Sequence, residues 1–136
     1  MSKTTQMTGA MLEANDIRNL VSLGFIALFR GLYDHAATIF EGVQAARPTQ
    51  EAGFIGRALV SLARGEIESA VKTLRALPPT DGARTFLAVA LLRQGDYAEA
   101  HDILSELKAH AGDSAYFTLA SAILDEIAAR PTSLTM

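Results

Sequence analysis

Apolar residues recur along this chain at the three- and four-residue spacing of a helix face, and glycine or proline interrupts each run. From Asp16, read as an N-cap, the pattern predicts a first helix to Arg30 ended by Gly31. A second runs from about Tyr33 to Ala46 and is stopped by Pro48. A third is expected from Thr49 or Gln50 to Arg64, and a fourth from Ile67 to Leu77, where Pro78-Pro79 forbids continuation. The fifth spans Asp81 to Gln94, the sixth Tyr97 to His110, and the seventh Ala115 to Arg130, closed by Pro131. No window alternates with period two between hairpin turns, so the chain reads as all-α. Residues 1–11 have no periodicity and are expected to form a mobile tail, although Met11 to Ala14 could extend the first helix backwards; residues 131–136 form a second tail.

Three of the interruptions share one pattern. Gly31-Leu32-Tyr33-Asp34-His35-Ala36 reappears as Gly65-Glu66-Ile67-Glu68-Ser69-Ala70 and as Gly95-Asp96-Tyr97-Ala98-Glu99-Ala100. Glycine makes the turn, the residue two further on can wedge between the helices, and the alanine lets the second helix approach the first closely. Gly31 to Gly65, Tyr33 to Ile67 and Ala36 to Ala70 are each 34 residues apart, whereas Gly65 to Gly95 is 30, the loss falling at Pro78-Pro79. A helix-turn-helix unit of period 34 resembles the tetratricopeptide repeat. The resemblance extends to the Leu23-Gly24, Arg57-Ala58 and Leu87-Ala88 pairs and to the large residues Phe40, Leu74 and Leu104. It extends also to Val43, Leu77 and Leu107, and to Pro48 at the close of the first unit. It implies an all-α helix-turn-helix solenoid in one domain over 12–130, with repeats at about 17–50, 51–80 and 81–114 and a C-terminal capping helix at 115–130.

Composition narrows the function. The 136 residues carry 20% charged side chains, a net charge of −3 and 49% hydrophobic residues, which suits a folded core and gives no basic footprint for nucleic acid. No cysteine is present, which removes disulfides, thiolate metal sites and cysteine nucleophiles and fits a cytoplasmic location. The longest apolar run, Leu20 to Phe29, is 10 residues, half of the ~20 that a spanning helix needs, so no membrane insertion is expected. Nor does a charged start lead into an apolar stretch as in a signal peptide. His35, His101 and His110 have no metal-ligand spacing, and Glu66, Glu68, Asp96 and Glu99 sit where acids complement helix dipoles. No metal, cofactor or catalytic constellation is therefore expected, and the chain reads as a protein that is not an enzyme.

Binding is expected on the first helix of each pair. If Leu20, Leu23, Gly24 and Ala27 face the paired helix, then Val21, Phe25, Leu28 and Phe29 lie around the other side. The same offsets select Ile55, Leu59 and Leu62, then Val89 and Leu92, and Tyr116, Leu119 and Ile123 in the last helix. A helix apolar all round must be covered twice, so this row predicts a groove for an amphipathic partner helix. The alternative is self-coverage, by the segment Met7 to Met11 or by a homodimer, in a generic scaffold. A clamp for acidic C-terminal peptides, known in tetratricopeptide co-chaperones, is disfavoured because Lys72 and Lys108 lie on second helices and Arg18, Arg57, Arg84 and Arg93 point at different angles.

Within the tetratricopeptide proteins, Leu20-Val21-Ser22-Leu23-Gly24-Phe25, Gly31 to Ala36 and Arg47-Pro48 resemble the small chaperones of bacterial type III secretion, in particular those of the needle subunit. The larger translocator chaperones share the Leu-Gly-Phe opening. The resemblance implies a cytoplasmic protein that sequesters an amphipathic helix of a needle or translocator subunit before export, with or without a small co-chaperone.

Overall fold

The computed structural model describes residues 13–110 and 115–129, apart from the side chains of residues 116, 117, 119 and 126–129. The expected tails and the turn at 111–114 lie outside the described residues. The helices are α1 Ala14–Phe29, α2 Tyr33–Ala46, α3 Ala52–Ala63, α4 Ile67–Ala76, α5 Asp81–Gln94, α6 Tyr97–His110 and α7 Ala115–Ala129. Among the described residues there is no strand, so the all-α expectation holds.

Two helix starts differ from expectation for local reasons. Asp16 is not the N-cap of α1: Glu13 takes that place in extended backbone, and Asp16, three residues on, accepts the Glu13 N–H at 3.0 Å in a reciprocal capping box. α3 starts at Ala52 rather than Thr49 or Gln50. A turn after Pro48 intervenes, closed by the Gln50 N–H donating to the Arg47 carbonyl at 3.1 Å.

The three repeated turns are built alike. Gly31, Gly65 and Gly95 have φ of 78, 85 and 94°, in the left-handed region that costs other residues a Cβ clash. Each glycine N–H donates to the carbonyl three residues back, Leu28, Leu62 or Leu92. The following N–H of Leu32, Glu66 or Asp96 reaches back five, to Ala27, Ser61 or Leu91. This is the Schellman arrangement, which satisfies carbonyls that the helix end leaves unpaired. The alanines five residues after the glycines, Ala36, Ala70 and Ala100, have no exposed surface. Of the two tyrosines expected to wedge between helices, Tyr33 packs against the core while Tyr97 is 46% exposed.

The chain forms two compact units, residues 1–73 and 74–136. In the first, α1, α2 and α3 each pack against the other two. Their centre is Phe40, fully buried with Ala27, Ala36 and Val60. Its ring lies where Cβ atoms at Gly24 of α1 and Gly56 of α3 would stand, 2.7 and 2.1 Å from ring carbons. Only glycine leaves that space. A third glycine, Gly53, brings α3 onto the α2 backbone, since a Cβ there would lie 2.6 Å from the Gln44 nitrogen. Phe25 meets Phe40 edge-on at 5.3 Å and stacks on Phe29 at 6.1 Å, both favourable aromatic geometries.

In the second unit α5, α6 and α7 likewise pack each against the other two. Thr80 caps α5, its Oγ1 accepting the Ala83 N–H at 3.1 Å. The core comprises Leu87, Ala88, Ala90, Leu91, Ala100, Leu104, Leu107 and Ala120. Buried Thr85 stays satisfied by donating to the Asp81 carbonyl at 2.6 Å. Arg84 pairs with Glu106, and Arg75 grips both oxygens of Glu99 at 2.7 and 3.1 Å. The Arg75 hydrogen bonds hold the Glu99 carboxyl below its usual range, and Glu99 in turn raises Arg75. In the first unit Arg64 pairs with Asp34.

Three outcomes are expected in denaturant titrations. Gly56→Ala should cost about 1–3 kcal/mol through overpacking against Phe40 and be partly rescued by Phe40→Leu, whereas Gly42→Ala, whose new Cβ meets nothing within 4 Å, should gain about 0.5–1 kcal/mol. Gly95→Ala, with open space around its Cβ, should lose about 1–2 kcal/mol from backbone strain alone. Glu99→Gln should lose about 0.5 kcal/mol at pH 7, the pair being partly exposed. Because the folded carboxyl is the more acidic, that contribution is complete above the unfolded pKa of about 4.3 and fades as pH falls through the folded value, so wild type and variant should converge near pH 2.

Candidate protein-binding surface

Each first helix carries an apolar stripe at equivalent positions: Val21, Phe25 and Leu28 on α1, Ile55, Leu59 and Leu62 on α3, and Val89 and Leu92 on α5. These positions differ in exposure. Val21, Phe25 and Leu28 are half-buried and rest on the Phe40 cluster, and Phe29, stacked on Phe25, is 81% exposed. Val89 and Leu92 are also half-buried, as is Ile123 on α7. The side chains of Tyr116 and Leu119 lie outside the described residues.

Ile55, Leu59 and Leu62 were expected to face a partner, and the structure corrects this: all three are buried. So are Gly53, Gly56, Ala58 and Val60, so α3 is enclosed nearly all round. A helix buried on nearly every face is a core helix, and α3 is one, with Arg57 its one exposed residue.

The inward face of α1 is also rotated from expectation. Gly24 and Ala27 are buried and Leu20 is half-buried, but Leu23 is 52% exposed and its place in the core is taken by Ile17. Ile17, Leu20, Gly24 and Ala27 follow the helical 3-4-3 spacing, which Leu23 breaks. Leu23 therefore shares the outer face with Ile26, 49% exposed, and sequence reading missed both as surface residues. The signal was the interval of three that joins Leu23, Ile26 and Phe29. Phe86 was missed likewise; it is half-buried and precedes Val89 and Leu92 at the same interval.

Polar chemistry is sparse around these stripes. His35, His101 and His110 are exposed, and His101 Nδ1 lies 3.5 Å from Ser105 Oγ within its own helix. Among the described residues no group of three or more His, Asp or Glu could hold a metal, and no helix is long and apolar enough to cross a membrane. A cleft of about 50 Å³ in the second unit is lined by Leu74, Leu77, Pro79, Ala83 and Leu87, with Arg75 and Arg84 at its rim. Both arginines are already paired with glutamates, so the cleft offers apolar contact without an uncompensated charge. Arg57 donates to Gln44 at 2.9 Å. Among the described residues, the surface thus offers apolar side chains for burial against a protein partner.

Known proteins agree with this architecture. The tetratricopeptide repeat family matches residues 82–106, and no curated protein sequence matches the chain. Among solved structures, the chain is similar to the type III secretion translocator chaperone SycD of Yersinia enterocolitica. The TM-score is 0.66 at 21% identity, over 86% of this chain and 93% of that one. An alternative dimer of SycD gives 0.63 at 23% identity over 85% and 94%. SycD in complex with a peptide of the translocator YopD gives 0.61 at 22% identity over 85% and 95%. With its 34-residue period, three left-handed glycine turns and buried alanines, the chain has the all-α tetratricopeptide-repeat fold, in the form that SycD shares.

Proposed function

We propose that the protein is a non-enzymatic chaperone of type III secretion that sequesters an amphipathic helix of a secreted subunit, a translocator or a needle protein, until export. The observation that carries this reading is the fold likeness to SycD, which has been seen with a peptide of its translocator, over 85% of this chain. The apolar side chains left at least partly accessible on the first helices and the last helix support it. Val21, Phe25, Leu28 and Phe29 are those of the first unit, and Val89, Leu92 and Ile123 those of the second. Apolar stripes of this kind suit a helix read through residues spaced by three and four. Fully burying one large apolar side chain is worth about 1.5–3 kcal/mol, so a few such contacts suffice for reversible sequestration without ATP. The structural likeness favours the translocator branch, and the Leu20 to Phe25 opening resembles both branches.

Co-expression with the secreted subunits of a type III system should give a stable complex with one of them. Val89→Asp with Leu92→Asp should abolish it while far-UV circular dichroism remains helical, with Val89→Ser as the milder check if the aspartates unfold α5. Failure of every subunit to co-purify, combined with a monodisperse dimer in light scattering, would replace this reading with a homodimerisation scaffold.

A further inference from the structure

Beyond the inner stripes, the outer face of α1 carries an apolar ridge. Leu23, Ile26 and Phe29 on the helix and Leu32 just after it follow at intervals of three, and they are 52, 49, 81 and 48% exposed. Side chains three apart on a helix form a continuous row. Phe29 stands at the border between this row and the inner stripe, since its ring stacks on Phe25. Of the five exposed large apolar residues described, three stand in this row and a fourth, Leu32, follows just beyond the helix end.

Along the helix from Ile17 to its end the charge has one sign. Between Ile17 and Tyr33 the only charged residues are Arg18 and Arg30, in a chain whose net charge is −3. Both are exposed, and neither is in an ion pair with a described residue. At 3.6 residues per turn they project to opposite sides of Ile26, Arg30 by about 40° and Arg18 by about 80°. The nearest acids are engaged elsewhere: Asp16 accepts the Glu13 N–H, and Asp34 pairs with Arg64. A second copy meeting this ridge with its own ridge would bring the same two arginines to the contact.

We propose that this ridge is a second docking surface, for an amphipathic helix of another protein whose apolar stripe is bordered on both sides by Asp or Glu. The ridge supplies the buried contact and the arginines select for acidic borders and orient the helix, as complementary rims do. This goes beyond the proposed chaperone reading and needs no contribution from α5 or α7.

The test uses the full chain and two labelled 18-residue helical peptides with the same leucine stripe, one bordered by Glu and the other by Lys. Fluorescence anisotropy should show the Glu peptide binding about tenfold or more tightly than the Lys peptide, with the difference shrinking in high salt. Ile26→Ser, at an exposed position, should weaken the Glu peptide about tenfold without shifting the unfolding midpoint. Arg18→Glu with Arg30→Glu should reverse the preference. Equal affinity for the two peptides would overturn the proposal, as would binding indifferent to Ile26→Ser. A wild-type dimer that Ile26→Ser converts to monomer would assign the ridge to a second copy. Peptide binding seen only after removal of residues 1–12 would assign it to that segment. Either result overturns the proposal. Co-purification of a secreted subunit, measured in the same Ile26→Ser variant, reports separately on the chaperone reading, so either can fail alone.

Discussion

The first unit depends on one fit, the Phe40 ring held between the backbones of α1 and α3. Gly24 and Gly56 are required there because the ring occupies the volume of their missing side chains. That fit sets how closely three helices approach, buries the largest side chain of the core, and leaves Phe25 leaning on Phe40 with Phe29 stacked outside it. An apolar surface residue is thereby continuous with the core. Protein interiors tolerate little change in volume, so such a contact has few substitutes.

A similar small–large pairing recurs in the sequence pattern of the repeats. Sixteen residues separate Gly24 from Phe40, Ala58 from Leu74 and Ala88 from Leu104, and all six positions are buried. Where the small member grows from glycine to alanine, the large member shrinks from phenylalanine to leucine. The two positions thus vary in opposite directions along the sequence, while burial is kept at each of them.

Polar interactions have a lesser part in cohesion. The ion pairs Arg64–Asp34, Arg75–Glu99 and Arg84–Glu106 are partly exposed, and the buried hydroxyl of Thr85 is turned onto its own helix. Surface pairs of this kind contribute little to stability, but two of them, Arg75–Glu99 and Arg84–Glu106, compensate the arginines that line the Pro79 cleft. Arg18 and Arg30 have no such acidic partners among the described residues, and this contrast is what distinguishes the outer face of α1.

Much of the fold was legible in the residues alone. Glycine at three turns, alanine five residues later and proline after α2 and α4 each act through local backbone geometry, so helix order and repeat period could be read directly. By itself the chain determined an all-α repeat with apolar first helices. Only tertiary structure decided which apolar residues remain available. Ile55, Leu59 and Leu62 look the same in sequence as Phe25 and Leu92, yet α3 is buried on nearly every face and they vanish into the core. Leu23 looks like a core residue but stands outside, since α1 turns Ile17, Gly24 and Ala27 inward to admit Phe40. Periodicity gives the angle of a side chain about its own helix; what covers that angle depends on neighbours distant in sequence.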